Sequence, residues 1–248
     1  MVGDVSRQSD PSDQQELGVR DGRQVGVLRP AFPARLPSSL SDCTAIVTND
    51  WDAFCGVDVM RDHWTVKHWP TGRRGYYWYL TFDDSGMREL AGECQRRLGV
   101  DGTDPVPLDG LHITVLGIGG VDQFTETEIA SKVAAAQEEL RGFDAFDVTV
   151  GPLTGSGSAI RLSVAPWDRL LDLHAALAGV GAEPTRFRPH LGIAYNNIER
   201  PAGPVIDAVR ALRGIEPVAV RVKQIELVVV RREAREYRWD TMAAVALS

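Results

Sequence analysis

Two short segments of this 248-residue chain, His112-Ile113-Thr114 and His190-Leu191-Gly192, carry residue types suited to moving protons. Histidine has an unperturbed pKa of about 6.5, so near neutrality one imidazole can accept a proton while a second donates one. In-line displacement at phosphorus asks for both at once, a base on the attacking oxygen and an acid on the leaving oxygen at the opposite face. Such a scheme needs neither metal nor cofactor. Both segments open apolar, β-prone stretches, residues 111–117 and 190–195, in which residues two apart share a face. Thr114 therefore points with His112, its hydroxyl placed for a phosphoryl oxygen. Gly192 points with His190 and brings no hydroxyl, which leaves a backbone amide or water at that place. By the same alternation Tyr195 faces away from His190, into the core.

The elements that must position these histidines recur. An aromatic strand at 76–82 is followed by a helix to residue 98, the strand at 111–117, a helix capped by Thr125 and a strand at 146–153. After Gly155-Ser156-Gly157 the order returns: a strand at 160–164, a helix at 167–178, a proline-containing loop, the strand at 190–195, a helix at 205–212 and one long strand at 218–230. A last strand at 237–247 pairs back on 224–230. Leu80 precedes His112 by 32 positions and Leu162 precedes His190 by 28, so a histidine starts the corresponding strand in each half. The expected fold is α+β and bilobal: two duplicated β-α-β-α-β lobes, about 76–153 and 158–230, with antiparallel sheets around a central cleft and 237–247 as closing strand. Aligning the halves at Leu80 and Leu162 sets Tyr79 and Thr81 against Arg161 and Ser163 on the cleft side. Arg161 and Ser163 are then candidate phosphate ligands and Tyr79 a candidate base-stacking platform.

Composition narrows the partner. The 27 basic and 34 acidic residues leave a net charge of −7, which argues against coating long nucleic acid and favours a small anion such as a nucleotide or short RNA. Charge is uneven, with residues 205–238 locally basic. The three cysteines, Cys43, Cys55 and Cys94, form no C-x-x-C pair and suit reduced thiols rather than a disulfide frame or zinc site. Residues 1–42 are polar and aperiodic and are expected to be a flexible leader before one bilobal domain at 43–248. With neither a membrane-spanning run nor a signal-like start, the expected location is the cytoplasm. His63 and His68, five apart, fit neither a helical metal pair nor one strand face and are expected to be structural or at the surface. His174 is expected to be a packed or solvated helix residue rather than a ligand, Gly117, Gly119 and Gly120 a turn, and 231–238 a solvated basic hairpin.

The two histidine segments resemble the paired H-x-[ST] signatures of the two-histidine phosphoesterase superfamily, which includes 2′-5′ RNA ligase-like proteins and cyclic nucleotide phosphodiesterases. Asp62-His63-Trp64, residues 73–82, Phe187-Arg188-Pro189-His190, Ala194-Tyr195-Asn196 and Tyr237-Arg238-Trp239 are similar to segments of its actinobacterial members, so the likeness spans about 58–247. It implies a bilobal α+β fold, metal-independent chemistry at 2′,3′-cyclic phosphates or 2′-5′ phosphodiesters, His112 and His190 as the acid/base pair, and Thr114 as a phosphate-binding hydroxyl. Gly192 departs from the second signature. That departure leaves two other readings in view: a nucleotide-binding or regulatory module without turnover, and a tailoring enzyme on a nucleotide-like metabolite.

Overall fold

Asp42 opens the first helix: its carboxylate accepts from the Thr44 and Ala45 amides, and α1 (Cys43–Cys55) then buries Ile46, Asp50 and Phe54, each four residues apart, on one face. The computed structural model describes residues 35–67, 69–179 and 187–248. Residues 1–34 of the expected leader, His68 and residues 180–186 of the proline-containing loop lie outside the described residues. Near the end of that leader, the Leu40 carbonyl accepts from the amides of Trp167 and Asp168 at 2.7 and 3.2 Å, which ties this stretch to the domain.

After α1 come β1 (Val59–Met60), α2 (His63–Val66), β2 (Arg74–Thr81), α3 (Ser85–Leu98), β3 (Thr103–Pro105), β4 (His112–Gly120), α4 (Glu126–Glu139), β5 (Phe146–Gly155), β6 (Ala159–Ala165), α5 (Asp168–Gly179), β7 (His190–Asn196), β8 (Arg200–Pro201), α6 (Gly203–Leu212), β9 (Val218–Val222), β10 (Gln224–Glu233) and β11 (Glu236–Ala246). Local chemistry explains the starts. Asp84 caps α3 through the Met87 amide, and Thr125 with Glu128 closes a reciprocal capping box on α4.

The fold is α+β with antiparallel sheets in the orders β11-β10-β2-β4 and β3-β7-β6-β5-β9, beside a small β1-β8 pair. The duplication is visible in these orders: β4-β2-β10-β11 matches β7-β6-β5-β9 strand for strand, with β3 added at one edge. The sheets do not, however, divide the chain into the expected segments 76–153 and 158–230. Only residues 156–158 separate β5 from β6, so the two must pair as a hairpin, and the final strand of the first segment joins the second sheet. In return β10 pairs with β2 in the first sheet. The expected single strand at 218–230 is also two: β9 pairs with β5 and β10 with β2, the chain changing sheets at Lys223. Gly117, Gly119 and Gly120, expected as a turn, continue β4 opposite Tyr77, Tyr76 and Gly75.

Helices are exchanged as well. α5, which follows β6, packs on β4, and α3, which follows β2, packs on α6, β7 and β9. His174 is the packed rather than the solvated kind of helix residue, buried with Nδ1 3.0 Å from the Val115 carbonyl. α1 lies elsewhere. Cross-strand partners share a face, and Ser163 is opposite His190 while Arg161 is opposite Gly192. Both Ser163 and Arg161 contact Asp50, so α1 lies on the histidine-bearing face of β6. Its Phe54 ring comes within 2.5 Å of where a Cβ on Gly155 would stand, an approach only glycine permits. No helix among the described residues is long and apolar enough to cross a membrane.

Candidate active site

His112 and His190 occupy equivalent positions. Thr81 is opposite His112 and Tyr79 opposite Thr114, as Ser163 is opposite His190 and Arg161 opposite Gly192. Each imidazole is fixed in the same way. Nδ1 of His112 donates to the Gly110 carbonyl at 2.9 Å and Nδ1 of His190 to the Arg188 carbonyl at 2.8 Å, in each case the residue two before. A carbonyl only accepts, so Nδ1 carries the proton and Nε2 is the basic nitrogen in both. Burial lowers the pKa of His112 to about 4. Burial first, then the positive charge of Arg161, lowers that of His190 to about 3, with Lys67 and His112 adding smaller effects. The two rings are thus within electrostatic reach of each other.

His112 lies flat on Tyr79, ring centroids 4.2 Å apart and planes 12° from parallel, with the Trp239 indole against it at 5.1 Å. Tyr79 is 4% exposed. Its expected role as a base-stacking platform is therefore corrected: the face a base would use is occupied by His112, and Tyr79 orients that imidazole. The Tyr79 hydroxyl hydrogen-bonds with Thr114, which places the threonine beside His112. Less buried rings on the same sheet face are Trp239, Tyr237 and Tyr77, with Trp69 packed against them.

The second half differs. Ser163 donates to Asp50 at 3.0 Å, and Arg161, 2% exposed, donates through Nε to the Gly155 carbonyl at 3.1 Å and faces Asp50 at 3.9 Å. Neither side chain is open to a ligand as expected, because a carboxylate from α1 has taken the position of an anion. Burial raises the Asp50 pKa despite the attraction of Arg161.

Tyr195, expected in the core, lies instead on the histidine face. Register shifts leave residues of each histidine strand without an opposite: Val115 and Ile118 in β4, and Ile193, between Gly192 and Ala194, in β7. An extra residue reverses the alternation beyond it. Tyr195 consequently returns to the side of His190 instead of entering the core. It stacks on His63 at 4.1 Å, next to Trp64 and Tyr237. His63, expected to be structural or at the surface, is buried and structural, with Nδ1 3.3 Å from Ser158 Oγ and Nε2 3.1 Å from the Tyr237 hydroxyl. Sequence alternation missed Tyr195 and gave no sign of Asp50. Trp239 was legible only through its place in a family-like segment.

The arginines of the basic hairpin are largely paired, some within it and some with acids of other elements. Arg231 pairs with Glu233 and Asp240, Arg238 with Glu236 and Asp109, and Arg235 with Asp104, while Arg232 lies over the Trp64 ring at 5.8 Å.

These neutral imidazoles set a pH dependence. Burial lowers His63 to about 3, alongside His112 at about 4 and His190 at about 3. The unfolded chain takes up protons near pH 6.5 that the folded chain refuses, so stability is full above that value and falls as pH drops toward 4. Thermal melts should therefore show a midpoint that declines steadily from pH 7 to pH 5. A flat midpoint across that interval contradicts the buried neutral state.

The family model described as the 2′-5′ RNA ligase superfamily matches residues 84–234. Solved structures with a similar fold include E. coli LigT in complex with NADP+ (18% identity, TM-score 0.54) and with 3′-AMP (16%, 0.54), each covering 71% of this chain and 98% of that one. TT0787 of Thermus thermophilus is similar at 17% identity and TM-score 0.52, covering 71% and 97%. None of the curated proteins compared matches the chain. A family match over more than half the chain, together with the duplicated strands that carry His112 and His190, makes this protein a member of the 2′-5′ RNA ligase superfamily, the two-histidine phosphoesterases.

Proposed function

We propose that the protein is a metal-independent phosphodiesterase that opens a 2′,3′-cyclic phosphate or a 2′-5′ phosphodiester of a nucleotide or short RNA. One observation carries this reading: two histidines on equivalent strands, each with Nδ1 tied to the carbonyl two residues before it, so that each has Nε2 as its basic nitrogen. An acid/base pair for in-line displacement requires that arrangement. In hydrolysis, one Nε2 removes a proton from water as the water oxygen bonds to phosphorus. The bond from phosphorus to the ribose oxygen breaks, and the other imidazole, protonated on Nε2, gives its proton to that oxygen to leave a phosphate monoester. The second imidazole gains its proton on binding, because the negative phosphoryl group raises a pKa that burial alone had lowered. Thr114, beside His112, donates to a phosphoryl oxygen. The half-buried rings of Trp239, Tyr237 and Tyr77 give a base a surface to stack on, in keeping with the 3′-AMP held by E. coli LigT.

The test is a panel of 2′,3′-cyclic nucleotides and 2′-5′ dinucleotides incubated with a chelator. Monoester should accumulate at a rate the chelator leaves unchanged. Loss of turnover with chelator overturns metal independence. Binding without product over long incubation overturns the enzyme reading in favour of a binding module, the alternative that Gly192 motivates.

A further inference from the structure

We propose that the Tyr195 hydroxyl serves as the phosphate-binding hydroxyl that Gly192 lacks, so that each histidine has a hydroxyl beside it: Thr114 for His112 and Tyr195 for His190. The inference rests on the phosphodiesterase reading and adds a substrate-touching residue to it.

Two observations support it. The bulge at Ile193 brings Tyr195 to the face of β7 that carries His190 and Gly192. Its Oη then lies 3.7 Å from where a Cβ on Gly192 would stand, and a serine hydroxyl would sit one bond beyond that Cβ. The tyrosine oxygen therefore enters the neighbourhood that the absent side chain vacates. Desolvation keeps Tyr195 protonated, so at neutral pH it donates. Its ring is held by His63 on one face and by Trp64 and Tyr237 at its edges, which aims the hydroxyl without using it.

Gly192 itself is not demanded by the backbone. Its φ lies outside the left-handed region, and an added Cβ meets only ordinary contacts at 3.7–4.0 Å. A hydroxyl can therefore be restored there, and the idea can be tested by loss and rescue.

Tyr195→Phe removes the hydroxyl and keeps the stacked ring. It should lower kcat on a 2′,3′-cyclic nucleotide by about 10² and weaken inorganic phosphate binding, followed by calorimetry, by about tenfold. The double variant Tyr195→Phe with Gly192→Ser should recover most of both losses, a rescue that a purely structural role for Tyr195 would not produce. If the wild type turns substrate over and Tyr195→Phe matches it in kcat and phosphate affinity, the hydroxyl assignment is wrong and the phosphodiesterase reading stands. If the wild type shows no turnover yet binds inorganic phosphate, and Tyr195→Phe loses that binding while the double variant regains it, the hydroxyl assignment stands and the phosphodiesterase reading fails. Failure of the double variant to improve on Tyr195→Phe overturns the replacement.

Discussion

Replacing either His112 or His190 with alanine should lower kcat/KM on a 2′,3′-cyclic nucleotide by about 10²–10⁴, the range for loss of a general acid or base. The two losses should not add: once one proton transfer is missing, the other histidine has no completed displacement to assist, so the double variant should be little slower than the worse single one. Glutamine variants separate chemistry from support. A glutamine amide at either position can still donate to the carbonyl of Gly110 or Arg188, yet it neither takes nor gives a proton at the phosphate. His112→Gln and His190→Gln should therefore keep the wild-type melting temperature and lose activity as the alanine variants do. Full activity in any of the four single variants removes that histidine from the mechanism.

The second large effect concerns stability. Asp50→Ala should cost about 3–5 kcal/mol, because it leaves the Arg161 guanidinium buried without its carboxylate and Ser163 without its acceptor. Asp50 is 1% exposed and Arg161 2%, so little water can take the place of the lost partner. At this chain length a loss of that size corresponds to a drop in Tm on the order of 10 °C. The combined variant Asp50→Ala with Arg161→Met removes both charges and should recover much of the loss, since two apolar residues leave no charge stranded. Differential scanning calorimetry reads both. An unchanged midpoint in Asp50→Ala means that the pair does not hold α1 against β6.

Much of this architecture was legible in the sequence, and the parts that were not have physical causes. The alternation of strands and helices, the match of Leu80 to Leu162 and the placing of a histidine at the head of each corresponding strand follow from periodicity and spacing, and the registers keep Tyr79 opposite Thr114 as they keep Arg161 opposite Gly192. Sheet membership was not legible. Residues 218–230 read as one apolar run because both β9 and β10 are strands, and nothing in that pattern marks Lys223 as the place where the chain changes sheets. Counting by two puts Tyr195 in the core because it assumes an unbroken ladder, and one unpaired residue at Ile193 reverses every side chain after it. A cleft-facing arginine attracts anions, which makes Arg161 look like a ligand in the sequence; the anion it meets is Asp50, on a helix outside the repeated unit and far away in sequence.

The exchange of strands and helices between the halves has a mechanical consequence. β5 is the partner of β6, β10 is the partner of β2, and α3 and α5 each pack on the opposite half, so the chain passes between the two sheets repeatedly rather than once, and a single buried core takes in both Ile113 beside His112 and Leu191 beside His190. A hinge needs a boundary crossed by few contacts, and here that boundary is stitched. The two histidine strands are accordingly braced on one common core instead of being carried on two separately hinged jaws.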